Sequence, residues 1–105
     1  MISFQPYYAV IFTSTQSENA SGYSEMAVKM EQLAQKQHGY LGMDHARSDT
    51  GITISYWETE AAILQWKNNL EHLKAQEQGR ATWYNSYSIR ICKVEREYHF
   101  DRAKN

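Results

Sequence analysis

The order in which strand and helix patterns alternate along this 105-residue chain limits its fold more than any other feature. Residues 7–13 form a continuous apolar run, which is typical of a strand buried on both faces. From about Ser21 the apolar residues fall at helical spacing, and Gly39 is a natural stop for that helix. We predict a second strand over 40–47.

The middle of the chain predicts a hairpin followed by a second helix. A turn at 49–51 joins the second strand to a third strand at 52–57. Thr59 is suited to cap the next helix, because its hydroxyl accepts a backbone hydrogen bond from the first turn. We expect the Asn pair at 68–69 to bend or break this helix, since Asn competes for backbone hydrogen bonds. Apolar residues recur along it at spacings of three and four: Ile63, Trp66, Leu70 and Leu73.

Residues 83–94 alternate as a long last strand. The alternation places Tyr84 on the face opposite Trp83, Tyr87, Ile89 and Ile91. The order strand, helix, strand, strand, helix, strand predicts an α+β, ferredoxin-like βαββαβ fold. Its four-stranded antiparallel sheet would carry both helices on one face. We assign all of 1–105 to a single domain, with a core over 6–100 and a tail over 101–105.

The first strand also predicts an oligomer. Two helices cover only one face of a sheet, yet this strand is apolar on both faces. A second copy of the same sheet is the simplest cover for the remaining face, so we predict a homodimer that forms a dimeric α/β barrel. The two faces consist of Tyr8, Val10 and Phe12, and of Tyr7, Ala9 and Ile11.

Charge and composition exclude several classes of protein. The net charge is −1, so no broad positive field favours a nucleic acid as partner. No apolar run approaches the length of a membrane span, and the first residues lack the pattern of a secretory signal.

The single cysteine, Cys92, fits a reducing compartment, and we predict a cytoplasmic protein in which this thiol is a small buried hydrophobe. The four His are dispersed, so no metal site is predicted.

Four segments resemble those of a known family. They are GYLG at 39–42, ISYWETEAA at 54–62 followed by Trp66, HLKAQ at 72–76, and WYNSY at 83–87. Together they make the chain, over about residues 7–100, similar to the antibiotic biosynthesis monooxygenase family of dimeric α/β barrels.

The resemblance implies a pocket between the sheet and the helices of each subunit. Polyphenol oxygenases of the family are similar at Trp57 but carry an Asn where this chain has Thr53. Haem-degrading members are similar at Trp66 but carry a haem-ligating His where this chain has Gln76, and they use an Asn on the first strand, which 7–13 lacks. No cofactor is therefore predicted, and haem is disfavoured.

The predicted function is that of a cofactor-independent monooxygenase that acts on a planar aromatic or phenolic small molecule. His72 and Thr53 are the candidate catalytic residues, because one of them must orient or deprotonate the substrate. A structural role is the alternative for His72. Two other functions stay open, a haem-binding or haem-degrading monooxygenase and a non-catalytic small-molecule binding or stress-response protein.

Four further residues are predicted to bind the substrate. Aromatic side chains stack on planar ligands, so three of the four are candidate pocket walls. An ordinary core position is the alternative for Trp66. The four residues are Trp57, Trp66, Gln76 and Tyr84.

Overall fold

Four strands and two helices make up the described part of the chain. The structure is a computed structural model that describes residues 4–17, 23–76 and 84–102, with side chains described over 4–17, 23–71 and 84–102. Within these ranges no helix is both long and apolar enough to cross a membrane. The elements are β1 (Tyr7–Gln16), α1 (Tyr23–Gln35), β2 (Tyr40–Arg47), β3 (Gly51–Trp57), α2 (Glu60–Gln76) and β4 (Tyr84–Val94).

The strands form one antiparallel sheet in the order β2-β3-β1-β4. Both helices lie on one face of it, where α1 packs against β2 and α2 packs against β3. We call this face the helix side and the opposite face the outer side. The ferredoxin-like α+β fold predicted from the sequence is thereby confirmed.

The core on the helix side centres on two stacked tryptophans. Trp57 of β3 is 0% exposed and Trp66 of α2 is 8% exposed, and their ring centroids lie 5.8 Å apart. The indole N–H of Trp57 donates to Ser55 Oγ at 2.8 Å, so burial leaves this donor satisfied. Ala34, Ala62 and Ile63 complete the buried cluster.

Two loop residues fix the approach of α2 to the sheet. Thr59 caps the helix as predicted, because its Oγ1 accepts a hydrogen bond from the backbone N–H of Ala62 at 3.0 Å. Gly39 has a φ of +86°, and a Cβ there would lie 2.7 Å from the Cβ of Ala62. A residue without a side chain is therefore required where the chain enters β2.

The predicted break at the Asn pair is wrong, because α2 continues through it to Gln76. The side chain of Asn69 donates to the backbone oxygen of Gln65 at 3.0 Å and to Gln37 Oε1 at 2.9 Å. These bonds use the amide group without taking a backbone donor from the helix. Asn69 instead links α2 to the turn that follows α1.

Two expectations for β4 are also corrected. The pairing register with β1 shifts between Thr15 and Gln16, so Tyr84 lies on the same side as Tyr87 rather than opposite it. An extra residue at such a bulge reverses which face the following side chains occupy. Cys92 is exposed rather than buried, since it lies on the outer side of this edge strand.

Candidate functional site

An apolar trough lies along the helix side of β4. Tyr87, Ile89 and Ile91 form its floor and are 56%, 51% and 55% exposed. Their partners on β1 are Ser14, Phe12 and Val10, and Val10 packs against the tryptophan core, which places the row on the helix side. We call this surface the β4 trough.

The trough exists because the helices pack mainly against β2 and β3, while β4 is an edge strand with few contacts to either helix. α1 packs against β2 and α2 against β3, so their contacts leave most of β4 open. Beside α2 the trough deepens into an open groove of about 220 Å³. Its lining consists of Ile63, Leu64, Glu60 and Lys67 of α2 and Ile91 of β4. Apolar walls with a few charged residues at the rim are the usual lining of small-molecule sites.

The other end of the trough is closed by aromatic rings. Phe12 of β1 lies 5.3 Å from Tyr84 and 5.4 Å from Tyr87, measured between ring centroids. Tyr23, the first residue of α1, meets Tyr84 edge to face at 5.6 Å. The four rings present both apolar faces and phenol hydroxyls at one place, which suits a planar guest with polar substituents.

Burial raises the pKa of Tyr84 well above its usual range, and a hydrogen bond with Tyr23 raises it further. The nearby Arg47 guanidinium acts in the opposite direction but does not reverse the shift. Tyr84 is therefore a neutral phenol at physiological pH and serves as a hydrogen-bond donor or acceptor rather than as a base.

Thr53 lies on the helix side in a row that crosses all four strands. It pairs with Phe12 on one side and with His45 on the other, and Phe12 pairs in turn with Ile89 of the trough. Thr53 is half-buried. Its hydroxyl is two strands away from the trough floor, roughly 10 Å at the usual strand spacing.

The remaining predicted site residues fall into two groups. Trp57 and Trp66 belong to the core beside the trough, and their near-complete burial matches the core alternative stated for Trp66. His72 and Gln76 lie in the last turns of α2, and their side chains fall outside the described part of the chain. Tyr84 is the predicted wall residue that reaches the open site.

No group of three or more potential metal ligands is found among the described residues. Sequence reasoning also missed two contributors to the site, Tyr23 and the row on β4. The alternation placed Tyr87, Ile89 and Ile91 on one face, but only the register with β1 shows that this face lies beside α2.

The fold and the trough together define a small α+β protein with an open apolar site between its sheet and its second helix. A sequence profile of the antibiotic biosynthesis monooxygenase family matches residues 6–78. The chain belongs to this family. It is also similar to the uncharacterized protein YqjZ of Bacillus subtilis, with 47% identity over 102 residues that cover 95% of this chain and 90% of YqjZ.

Solved structures share the fold at low identity. The cofactor-independent oxygenase SnoaB of Streptomyces nogalater superposes with a TM-score of 0.71 at 10% identity, covering 90% of this chain and 97% of SnoaB. MhuD, crystallised with two manganese protoporphyrin IX molecules in each active site, gives 0.69 at 16% identity, covering 89% of this chain and 99% of MhuD. At these identities the likeness concerns the fold alone.

Proposed function

We propose that the protein is a cofactor-independent monooxygenase that oxidises a planar aromatic or phenolic compound held in the β4 trough. The observation that carries the proposal is the exposed row Tyr87, Ile89 and Ile91 beside α2. Three large apolar side chains in a row, each more than half exposed, favour a flat apolar guest. Family membership and the likeness to SnoaB support an oxygenase.

The reaction requires no external reductant. An activated methylene of the substrate loses a proton, and the resulting carbanion transfers electrons to dioxygen. The methylene becomes a carbonyl that keeps one oxygen atom, and the other oxygen leaves as water with the two methylene hydrogens. The protein has to bind the substrate and accept the first proton.

His72 is the proposed base, because a His is protonated and deprotonated near neutral pH. Thr53, roughly 10 Å from the trough floor, is proposed to orient an oxygen at the far end of the substrate by a hydrogen bond. Tyr84 forms the end wall of the pocket, and Gln76 is proposed as a further substrate contact from α2. The buried pair Trp57 and Trp66 supports the wall from the core side.

The test is oxygen uptake with 1,8-dihydroxyanthrone, whose central methylene is oxidised to a carbonyl. We expect saturable uptake by the wild type above the uncatalysed rate. The His72→Ala variant should lose about 100-fold or more, the usual contribution of a positioned general base. His38→Ala is the matched control, because His38 is exposed beyond the end of α1. Equal rates for the wild type and both variants would remove His72 from this role.

Haem binding is a second candidate, which the likeness to MhuD favours. The described trough residues do not fit haem. They include no His, Cys or Met that could serve as an axial ligand of the iron. A Soret shift on adding haemin would establish this alternative. Tight retention of an aromatic ligand without oxygen uptake would instead indicate a non-catalytic binding or stress-response protein.

We also propose that two copies associate through the outer side of the sheet. Ile11, Ile54 and Tyr7 are half-buried there, and Ile52 is 42% exposed. Analytical ultracentrifugation should give the mass of a dimer, and Ile54→Lys should give a monomer. A monomeric wild type at micromolar concentration would contradict the association.

The exposed free thiol of Cys92 is consistent with a reducing compartment, and we propose the cytoplasm.

A further inference from the structure

Arg47, at the end of β2, reaches across β3 to β1, the strand beside the trough. In the sheet it pairs with Gly51 of β3, which pairs with Ser14 of β1, which pairs with Tyr87 of the trough floor. A Cβ at Gly51 would collide with the Arg47 guanidinium, so the guanidinium lies directly over this glycine. Its Nη2 donates to Ser14 Oγ at 2.5 Å. The positive charge is thus held one strand away from the trough.

This guanidinium is held in place, although Arg47 as a whole residue stays exposed. It lies 5.4 Å from the centroid of the Tyr23 ring, and Ser14, its hydrogen-bond acceptor, is 2% exposed. Arg47 itself is exposed. Among the described residues, no carboxylate oxygen lies within 4.0 Å of its nitrogens. Within the described residues, a hydroxyl and a ring hold the charge without neutralising it.

One phenol, Tyr23, adjoins the charge, and a second, Tyr84, connects it to the trough. Tyr23 touches both Arg47 and Tyr84, and the ring of Tyr84 lies 5.9 Å from that of Tyr87. Phenol hydroxyls and a guanidinium are the donors that recognise carboxylates and ionised hydroxyls. The rings of Tyr87 and Phe12 extend from this point into the apolar trough.

We propose that Arg47, Tyr23 and Tyr84 form an anion-binding subsite at the end of the β4 trough. The subsite selects planar aromatic compounds that carry a carboxylate or an ionised hydroxyl. The ring system lies over Ile89 and Ile91, and the negative oxygen meets the guanidinium. Arginine suits this task because its charge is permanent at physiological pH and its planar group stacks on aromatic rings. The inference rests on the proposed trough function and names the substrate class that the trough accepts.

The test compares 2-naphthoate with 2-naphthamide, a neutral ligand of nearly the same shape, by isothermal titration calorimetry. The wild type should bind the carboxylate roughly tenfold or more tightly, a factor that corresponds to about 1.4 kcal/mol. Arg47→Gln should bring the two dissociation constants within about twofold while leaving the affinity for 2-naphthamide nearly unchanged. Equal affinities in the wild type, or an equal loss for both ligands in Arg47→Gln, would overturn the proposal.

Two further variants separate position from charge. Arg90→Gln removes a guanidinium from the same strand as the trough but from its outer side, where it contacts Ser88, and should retain the preference. Gly51→Ala keeps Arg47 but pushes its guanidinium away, and should lose the preference. A Gly51→Ala protein that retains both the native circular dichroism spectrum and the full preference would contradict the geometry.

The outcome is independent of turnover, because binding is measured without oxygen consumption. If 2-naphthoate binds through Arg47 while no anthrone is oxidised, the subsite stands and the oxygenase proposal fails. If anthrone is oxidised while both naphthalene ligands bind equally, the oxygenase stands and the subsite fails.

Discussion

Ile91, in the floor of the trough, allows a quantitative prediction of ligand affinity. This side chain lines the groove beside α2 and is 55% exposed, so a guest in the proposed site would gain apolar contact there. Ile91→Thr keeps a β-branched side chain and hence the strand preference of the position, but it loses apolar surface. The substitution therefore changes the affinity for the guest and has little effect on the stability of the fold.

The expected loss of affinity follows from the exposed area. Threonine lacks about two of the carbon groups of isoleucine, and each contributes about 0.8 kcal/mol when fully buried. Because 55% of the Ile91 side chain is available to a guest, the loss is about 0.9 kcal/mol, or about fivefold in Kd. The free energy of unfolding should change by less than about 1 kcal/mol, since the position is already half exposed.

The assay is the titration of 2-naphthamide, whose neutral group makes the measurement independent of Arg47. Val28→Thr is the matched control, because Val28 on α1 is also 55% exposed but does not line the groove. We expect about fivefold weaker binding for Ile91→Thr and unchanged binding for Val28→Thr. Equal affinities for both variants, or a loss confined to Val28→Thr, would refute the assignment of the trough.

Three further predictions concern stability and titration. Trp66→Ala should lower the free energy of unfolding by about 3–5 kcal/mol in urea titrations, because it opens a cavity beside Trp57. A loss below about 1 kcal/mol would contradict the packing of the two rings. Gly39→Ala should cost about 1–3 kcal/mol, since φ is +86° and the new Cβ would crowd Ala62; an unchanged midpoint would count against this account. The hydroxyl of Tyr56 donates a hydrogen bond to Asp44 at 2.8 Å, and this bond raises the pKa of Tyr56 from 10.0 to about 12. The stability that the bond contributes is therefore complete below pH 10 and is lost as the pH rises through 12. Tyr56→Phe should reduce the tyrosinate absorbance that develops near pH 12 by the amplitude of one tyrosine, and a titration curve unchanged in that variant would disprove the assignment.

The fold was predictable because the hydrophobic period changes at each element boundary. The continuous run in β1, the helical spacing in α1 and α2 and the alternation in β3 each specify one element, and Thr59 marks the start of α2. The Asn pair misled the prediction, since the tertiary partner of Asn69, Gln37, lies 32 residues away. Helix propensity depends on residues close in the chain, so it cannot predict the effect of such a distant partner.

The candidate site was only partly predictable. Tyr84 was predicted on the face opposite Tyr87 but lies on the same face, because a bulge depends on pairing between strands and leaves no local signal. Arg47 joins the site by reaching Ser14, 33 residues earlier in the chain, across a glycine. No residue spacing and no sequence motif predicts the contact between Arg47 and Ser14.

Methyl NMR of a complex with 2-naphthoate tests the central claim most directly. With the isoleucine methyls labelled, the trough predicts intermolecular contacts from the naphthalene ring to Ile89 and Ile91, which lie on the helix side. It predicts none to Ile52 and Ile54, which lie on the outer side of β3. Contacts to the outer pair, with Ile89 and Ile91 undisturbed, would contradict the location of the site.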